Sequence, residues 1–206
     1  MQEQNMDVYA YPYQGNLYIN LTNRCTNNCE FCVRRGADGV GGHYLWIKKE
    51  PTAEEVIAQM GEDLSPYGEI VFCGFGEPTI RLDVLLQVAA YAKEKGLKVR
   101  VNTNGQASLI HGEDITPQLE GKVDCLSVSL NMGDAVGYDN ACHSQYGLAA
   151  FDGILDFSKA AMAHVPEVIL SVVDVIGEEE IQKCKTICAA RGIPLRVRSF
   201  IEPERG

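Results

Sequence analysis

Six short stretches of the chain alternate apolar with polar residues or run apolar outright, and between them the apolar period lengthens to that of a helix. LYINL (17–21), EIVFC (69–73), KVRVN (98–102), CLSVSL (125–130), EVILSVVDV (167–175) and PLRVRSF (194–200) have the length and β-branched content of strands. TAEEVIAQMGEDL (52–64) opens on a capping box made by Thr52 and Glu55. LDVLLQVAAYAKEKG (82–96) and EEEIQKCKTICAARG (178–192) close on Gly96 and Gly192, each placed just past a helix end. AAFDGILDFSKAAMAH (149–164) reads as another helix, with a shorter turn around Pro117 to Glu120. Strands taking turns with helices predict a parallel α/β fold, either an open doubly wound sheet or all or part of a barrel.

The two faces of each strand narrow that choice. Leu17, Ile19 and Leu21 oppose Tyr18, Asn20 and Thr22, and Val99 and Val101 oppose Arg100, Asn102 and Asn104. Leu126, Val128 and Leu130 oppose Ser127, Ser129 and Asn131, and Leu195 and Val197 oppose Arg196 and Arg198. Parallel strands buried on both faces read as unbroken apolar runs, which these are not. If the apolar faces take the helices, the polar faces converge on a shared interior. The expectation is a partial barrel around a polar cavity, the plainer alternative being edge strands with one wet face.

Composition adds limits. At 206 residues, 46% hydrophobic and 22% charged, the chain suits a single domain spanning 1–206. A formal charge of −10 and a pI near 4.9 argue against direct nucleic-acid binding, which works through clustered Lys and Arg. The start, MQEQNMDVYAYPYQG, has neither a basic n-region nor an apolar h-region, and nowhere do about 18 apolar residues run together, so the expectation is cytoplasmic with no membrane partner. In that reducing setting the eight cysteines point to metal or catalysis rather than to disulfides.

Candidate chemistry concentrates after the first strand, where CTNNCEFC puts Cys25, Cys29 and Cys32 in the spacing CxxxCxxC. Strand C-termini are where α/β barrels build their sites. Three thiolates can hold three irons of a cubane and leave the fourth open. Structural zinc would need a fourth ligand, and the nearest histidine, His43, lies eleven residues past Cys32 in a glycine-rich loop. Ferredoxin-type ligation uses a different spacing. GFGEPT (74–79) follows the second strand, as a plain β-to-α turn or as a loop whose glycines permit close backbone approach. NTNG (102–105), Ser129 and Asn131 follow the third and fourth strands, as solvated turn formers or ligand contacts. Cys184 and Cys188, four apart on the last helix, read as core or as a ligand pair; Cys73 and Cys125 read as core, and Cys142 and His143 as loop residues. Arg34 and Arg35 flank the cysteine loop, to neutralise it, dock a reductant or simply face solvent. Arg198 on an inward strand face is costly unless it meets an anion, which makes it the substrate candidate.

CxxxCxxC with an aromatic residue, Phe31, just before its last cysteine resembles the signature of radical SAM enzymes, and the resemblance runs from Leu17 to Phe200. It implies the radical SAM core, a partial (β/α)6 TIM-like barrel in the α/β class. It implies Cys25, Cys29 and Cys32 as ligands of a [4Fe–4S] cluster whose fourth iron is chelated by the amino and carboxylate groups of S-adenosylmethionine. One electron would split that cofactor into methionine and a 5′-deoxyadenosyl radical, which takes hydrogen from a substrate the sequence leaves unidentified. GFGEPT is similar to the family's GGEP stretch, departing from it at Phe75; its backbone would meet the methionine amino group, with Glu77 balancing the ammonium. Phe31, Gly74, Phe75, Gly76, Glu77 and Pro78 are thereby implied as cofactor neighbours. Asn102, Asn104, Ser129 and Asn131 match positions that contact methionine carboxylate and ribose, and Val175 matches the adenine side. An external electron donor such as flavodoxin or ferredoxin is implied as well. NRCTNNCEFC, DGVGGHYLW, FCGFGEPTIRLDVLL, VNTNG with LIHG, and LSVVDV together look like the small TatD-associated members, which implies association with a TatD-type hydrolase. A glycyl-radical enzyme activase and a non-catalytic iron-sulfur electron carrier remain as alternatives. A single cluster is expected, because Cys73, Cys125, Cys142, Cys184 and Cys188 scatter over the anticipated fold.

Overall fold

The computed structural model describes residues 6–200. The chain begins with a hairpin, β1 (Ala10–Tyr13) and β2 (Asn16–Ile19), pairing Ala10 with Ile19 antiparallel. Gln14 and Gly15 join them with φ of 48° and 75°, the two left-handed residues that a tight hairpin turn of matching twist requires. Past the cysteine loop, the glycine-rich stretch folds into a small ribbon, β3 (Gly39–Val40) against β4 (His43–Tyr44). Then come α1 (Ala53–Met60), β5 (Glu69–Phe72), α2 (Leu82–Glu94), β6 (Lys98–Thr103), α3 (Ala107–His111) and β7 (Cys125–Ser129). The remainder comprises α4 (Ala135–Cys142), α5 (Ala149–Ala161), β8 (Glu167–Val173), α6 (Glu178–Arg191) and β9 (Leu195–Arg198).

One seven-stranded sheet carries the fold in the order β1-β2-β5-β6-β7-β8-β9. Every neighbouring pair from β2 to β9 is parallel, so the six strands read from the sequence are the six parallel ones. The capping box of α1 forms as expected, Glu55 N–H donating to Thr52 Oγ1 and Thr52 N–H to Glu55 Oε2. Gly192 takes the left-handed conformation that stops α6.

Several boundaries differ, each for a local reason. The helix expected over 52–64 stops at Met60, where Gly61 turns to φ 81°. The strand expected over 167–175 stops at Val173, because Asp174–Ile176 tighten into a 3₁₀ turn ahead of Gly177 at φ 86°. β1 and α4 were not anticipated, and α4 occupies the stretch read as a loop around Cys142.

Outward-facing apolar side chains form the main core. Leu17 and Ile19 of β2, Ile70 and Phe72 of β5, Val99 and Val101 of β6 and Leu126 and Val128 of β7 pack with Val56, Leu85, Val88, Ile154 and Ile181 of the helices. Burying side chains of this kind contributes about 1.5–3 kcal/mol each. Cys184 and Cys188 of α6 belong to this layer. The opposite faces of the strands point inward. Tyr11 and Tyr13 of β1 and Arg198 of β9 line the same interior space, so the sheet curls until its two edges approach, making a partial TIM-like barrel.

Candidate active site

That interior is a cavity of about 580 Å³, within the range of roughly 300–1,000 Å³ usual for small-molecule sites. Cys25, Cys29 and Cys32 all line it, each half-buried, on the loop that leaves the C-terminal end of β2. Two arginines hold this loop by its carbonyls. Arg34 donates Nη1 to Asn23 O at 3.1 Å and to Phe75 O at 3.3 Å, and Nη2 to Asn27 O at 3.2 Å. Arg35 donates Nε to Cys29 O at 2.8 Å and Nη2 to Asn28 O at 3.0 Å. Both side chains therefore act as staples. Helix α4 supplies further anchors: Asn28 N–H donates to Cys142 O at 2.8 Å and Glu30 N–H to Ala141 O at 3.0 Å.

Around the thiols the wall is polar. Cys25 Sγ accepts from Asn27 N–H at 3.4 Å and from Asn104 Nδ2 at 3.9 Å. Burial, reinforced by the Glu77 charge, pushes the Cys25 thiol up to about 11. Cys29 lies above the usual thiol range because it hydrogen-bonds to Cys142 and is buried. A metal bound by these thiols would displace their protons. Among the described residues no three His, Cys, Asp or Glu side chains converge on the position of one ion, and His43 stacks on Tyr11 at 5.4 Å between ring centroids. Three thiols on one wall are what a cubane with an open fourth iron would need.

The GFGEPT loop splits into two groups. Gly74 and Phe75 line the cavity; Gly76, Glu77 and Pro78 do not. A Cβ on Gly74 would lie 2.1 Å from Asn20 Oδ1, and one on Gly76 2.3 Å from Thr22 O. Both glycines thus serve the close approach of this loop to β2 and the segment after it. Glu77, expected to meet the cofactor ammonium, faces away from the cavity and is 3% exposed. Its Oε1 accepts from Thr79 N–H at 3.0 Å, Thr79 Oγ1 at 2.7 Å and Thr103 Oγ1 at 2.7 Å, and its Oε2 from Asn104 N–H at 2.7 Å. Burial pushes its carboxyl up while these donors oppose the shift. Glu77 ties the loop to β6 and orients Asn104, and its oxygens are engaged by the chain's own donors.

The other expected contacts divide similarly. Phe31, Asn102, Asn104, Ser129 and Asn131 line the cavity with the cysteines. Asn131 takes a left-handed φ of 62° and donates Nδ2 to Cys142 Sγ at 3.4 Å. Val175 sits in the 3₁₀ turn after β8, 54% exposed and away from the wall, where Val173 stands instead. Arg198 lines the far end of the cavity. Cys142, read as a loop residue, ends α4 and is wholly buried beside Cys29. Cys73, read as core, lines the cavity. Cys125 lies at the opposite end of the sheet in a separate hollow with Glu167 and Arg196.

Sequence reasoning missed a buried polar cluster under the cysteine loop. Asn27 Nδ2 donates to Tyr138 Oη at 2.7 Å, and Gln106 Nε2 to Asn27 Oδ1 at 2.8 Å and Tyr138 Oη at 3.0 Å. The polar residues flanking NTNG and the loop cysteines were its only signal. It also missed the tyrosine wall of the first hairpin, signalled by Tyr9, Tyr11 and Tyr13 alternating ahead of a Gln-Gly turn.

The chain is similar to several known proteins. The chain is 36% identical over 114 residues to Fe-coproporphyrin III synthase of Methanosarcina barkeri, covering 54% of this chain and 26% of that one. It is 31% identical over 188 residues to a Methanocella arvoryzae protein named "Probable GTP 3′,8-cyclase", covering 88% and 54% respectively. The chain thus spans about half or less of these relatives. The solved structure of TYW1 with a lysine-pyruvate adduct bound superposes with a TM-score of 0.64 at 14% identity, over 91% of this chain and 65% of that one. With three thiols on the wall of a half-barrel cavity, and the model of the radical SAM superfamily matching residues 19–187, the chain belongs to that superfamily.

Proposed function

We propose that this chain is a radical SAM enzyme of one core domain, in which Cys25, Cys29 and Cys32 hold three irons of a [4Fe–4S] cluster. The superfamily works with that cluster and S-adenosylmethionine. When bound, they supply a 5′-deoxyadenosyl radical and methionine by one-electron cleavage of the sulfonium. The chain's own residues do the rest. Asn102, Asn104, Ser129 and Asn131 offer hydrogen bonds along the wall next to the thiols, and Phe31, Gly74 and Phe75 shape the same pocket. Glu77 fixes Asn104 from behind. Val173, which lines the cavity where Val175 does not, serves the adenine side. The curled sheet limits the access of water to the reacting atoms.

The observation that carries this reading is the convergence of the three loop cysteines with the polar strand ends on one cavity. An external one-electron donor of the flavodoxin or ferredoxin type and a cytoplasmic setting accompany it. Among the described residues no helix is long and apolar enough to cross a membrane. The likeness of the cysteine and glycine-rich stretches to TatD-associated members makes a TatD-type hydrolase the partner to test by co-purification.

The deciding experiment is anaerobic. Reconstituted and reduced protein is expected to convert S-adenosylmethionine to 5′-deoxyadenosine and methionine. A loaded cluster with no 5′-deoxyadenosine above a no-protein control would make the chain an electron carrier. A glycyl-radical EPR signal on a large partner would make it an activase.

A further inference from the structure

Away from the cysteines the cavity changes character. Tyr11 and Tyr13 of β1 and Tyr18 of β2 form one wall, with Tyr13 edge-on to Tyr18 at 5.4 Å and Tyr11 tilted against it at 5.6 Å between ring centroids. At the other edge of the sheet β9 presents Arg198, followed by Ser199 and Phe200. Both edges face the same cavity. Among the described residues, no Asp or Glu lines the cavity, although the chain carries 28 acidic against 18 basic residues.

The two arginines on this wall differ. Arg100 is held by Glu69, Nη2 to Oε1 at 2.7 Å. Arg198 meets no carboxylate among the described residues and donates one hydrogen bond, Nη2 to Ser171 Oγ at 3.3 Å. Arg198 is exposed where it lines the cavity. Its guanidinium stays charged at physiological pH, so an anion entering the cavity meets a complementary charge that no carboxylate of the described residues neutralises. Arg198 bonds Ser171 of β8, whereas the arginines bonded to the cysteine loop are Arg34 and Arg35. Its planar fork suits the paired oxygens of a carboxylate or phosphate, and the tyrosines suit a flat ring.

We propose that the substrate is a ring-bearing oxyanion, a carboxylate or a phosphate monoester, whose charge seats on Arg198 and whose ring lies against Tyr13 and Tyr18, with buried Tyr11 packed behind them. The proposal rests on the reading that the cysteine end of the same cavity holds the cofactor.

The test is equilibrium dialysis of the full chain, anaerobically reconstituted, with benzoate and phenyl phosphate as probes and benzamide as the uncharged control. Either anion is expected to bind at least about tenfold more tightly than benzamide, as a charge-assisted contact would give. Arg198→Gln is expected to abolish the preference and Arg198→Lys to keep part of it. Arg196→Gln, on the same strand but outside this cavity, controls for net charge and is expected to change nothing. Tighter benzoate identifies a carboxylate substrate, and tighter phenyl phosphate a phosphate monoester. Equal binding of benzamide, or an undiminished preference in Arg198→Gln, overturns the proposal. So does a tenfold loss of S-adenosylmethionine affinity in Arg198→Gln, which would assign this arginine to the cofactor. Because the readout is binding, a wild type that selects the anions yet forms no 5′-deoxyadenosine supports the anion site and refutes only the enzyme reading.

Discussion

Cys184 and Cys188 lie one turn apart on α6, 0% and 2% exposed among apolar neighbours. Cys25, Cys29 and Cys32 lie half-buried on a loop, open to a cavity, with Asn27 N–H and Asn104 Nδ2 donating to Cys25 Sγ. Acidity does not separate Cys25 from the helical pair. Burial lifts Cys184 to about 12, Cys188 to about 11 and Cys25 to about 11. What separates them is the other partner each thiol can reach. On the helix there is only packing, so the thiol behaves as a small hydrophobe. On the loop there is room for a metal cluster and there are polar groups to support a thiolate. A count of eight cysteines therefore says less about clusters than their placement does.

The comparison is broken most severely at the loop itself. Replacing Cys25, Cys29 and Cys32 together by Ala is expected to take reconstituted iron from about four per chain to background, read by iron assay and visible absorbance. Iron that survives the triple replacement would mean that another cysteine group ligates a cluster. A smaller effect sharpens the contrast by testing the polar scaffold that only the loop possesses. In Glu77→Gln the amide NH₂ would face donors, either Asn104 N–H or the Thr79 and Thr103 groups, leaving a buried clash of hydrogens. The expected cost is about 1–3 kcal/mol, with a lower melting temperature and poorer cluster retention. A melting curve identical to wild type would show that this carboxylate does not brace the site. The smallest effect belongs to the helix: Cys184→Ala and Cys188→Ala are expected to cost about 1 kcal/mol each in denaturant titrations while leaving iron content unchanged. A fall in iron for either variant would erase the distinction between the groups.

Much of this architecture was legible because local pattern and tertiary role coincide. The alternation Val99, Arg100, Val101, Asn102 predicts which side chains enter the core and which enter the cavity, and the structure puts them there. CxxxCxxC is similarly local: its spacing needs no distant partner to be read. β1 escaped because it is four residues long and contains Pro12, and its tyrosines carry little apolar contrast. α4 escaped because AVGYDNAC has Gly137 inside it and no clear apolar stripe. It is held by the Asp134 cap on Gly137 N–H and by the loop amides that bond its last carbonyls. The orientation of Glu77 was illegible for a different reason. A carboxylate after a glycine loop looks ligand-facing until Thr103 and Asn104, 26 and 27 positions away, claim its oxygens.

The stapling of the cysteine loop by Arg34, Arg35 and the end of α4 also bears on how a cluster is acquired. The backbone carbonyls of Asn23, Asn27, Asn28 and Cys29 are bonded within the protein chain itself. Conformational freedom is thus lost when the polypeptide folds, not when iron arrives. Zinc fingers behave oppositely, their folding and metal binding being one event. A cluster held by these thiols would dock onto a loop that the protein's own hydrogen bonds already hold in place.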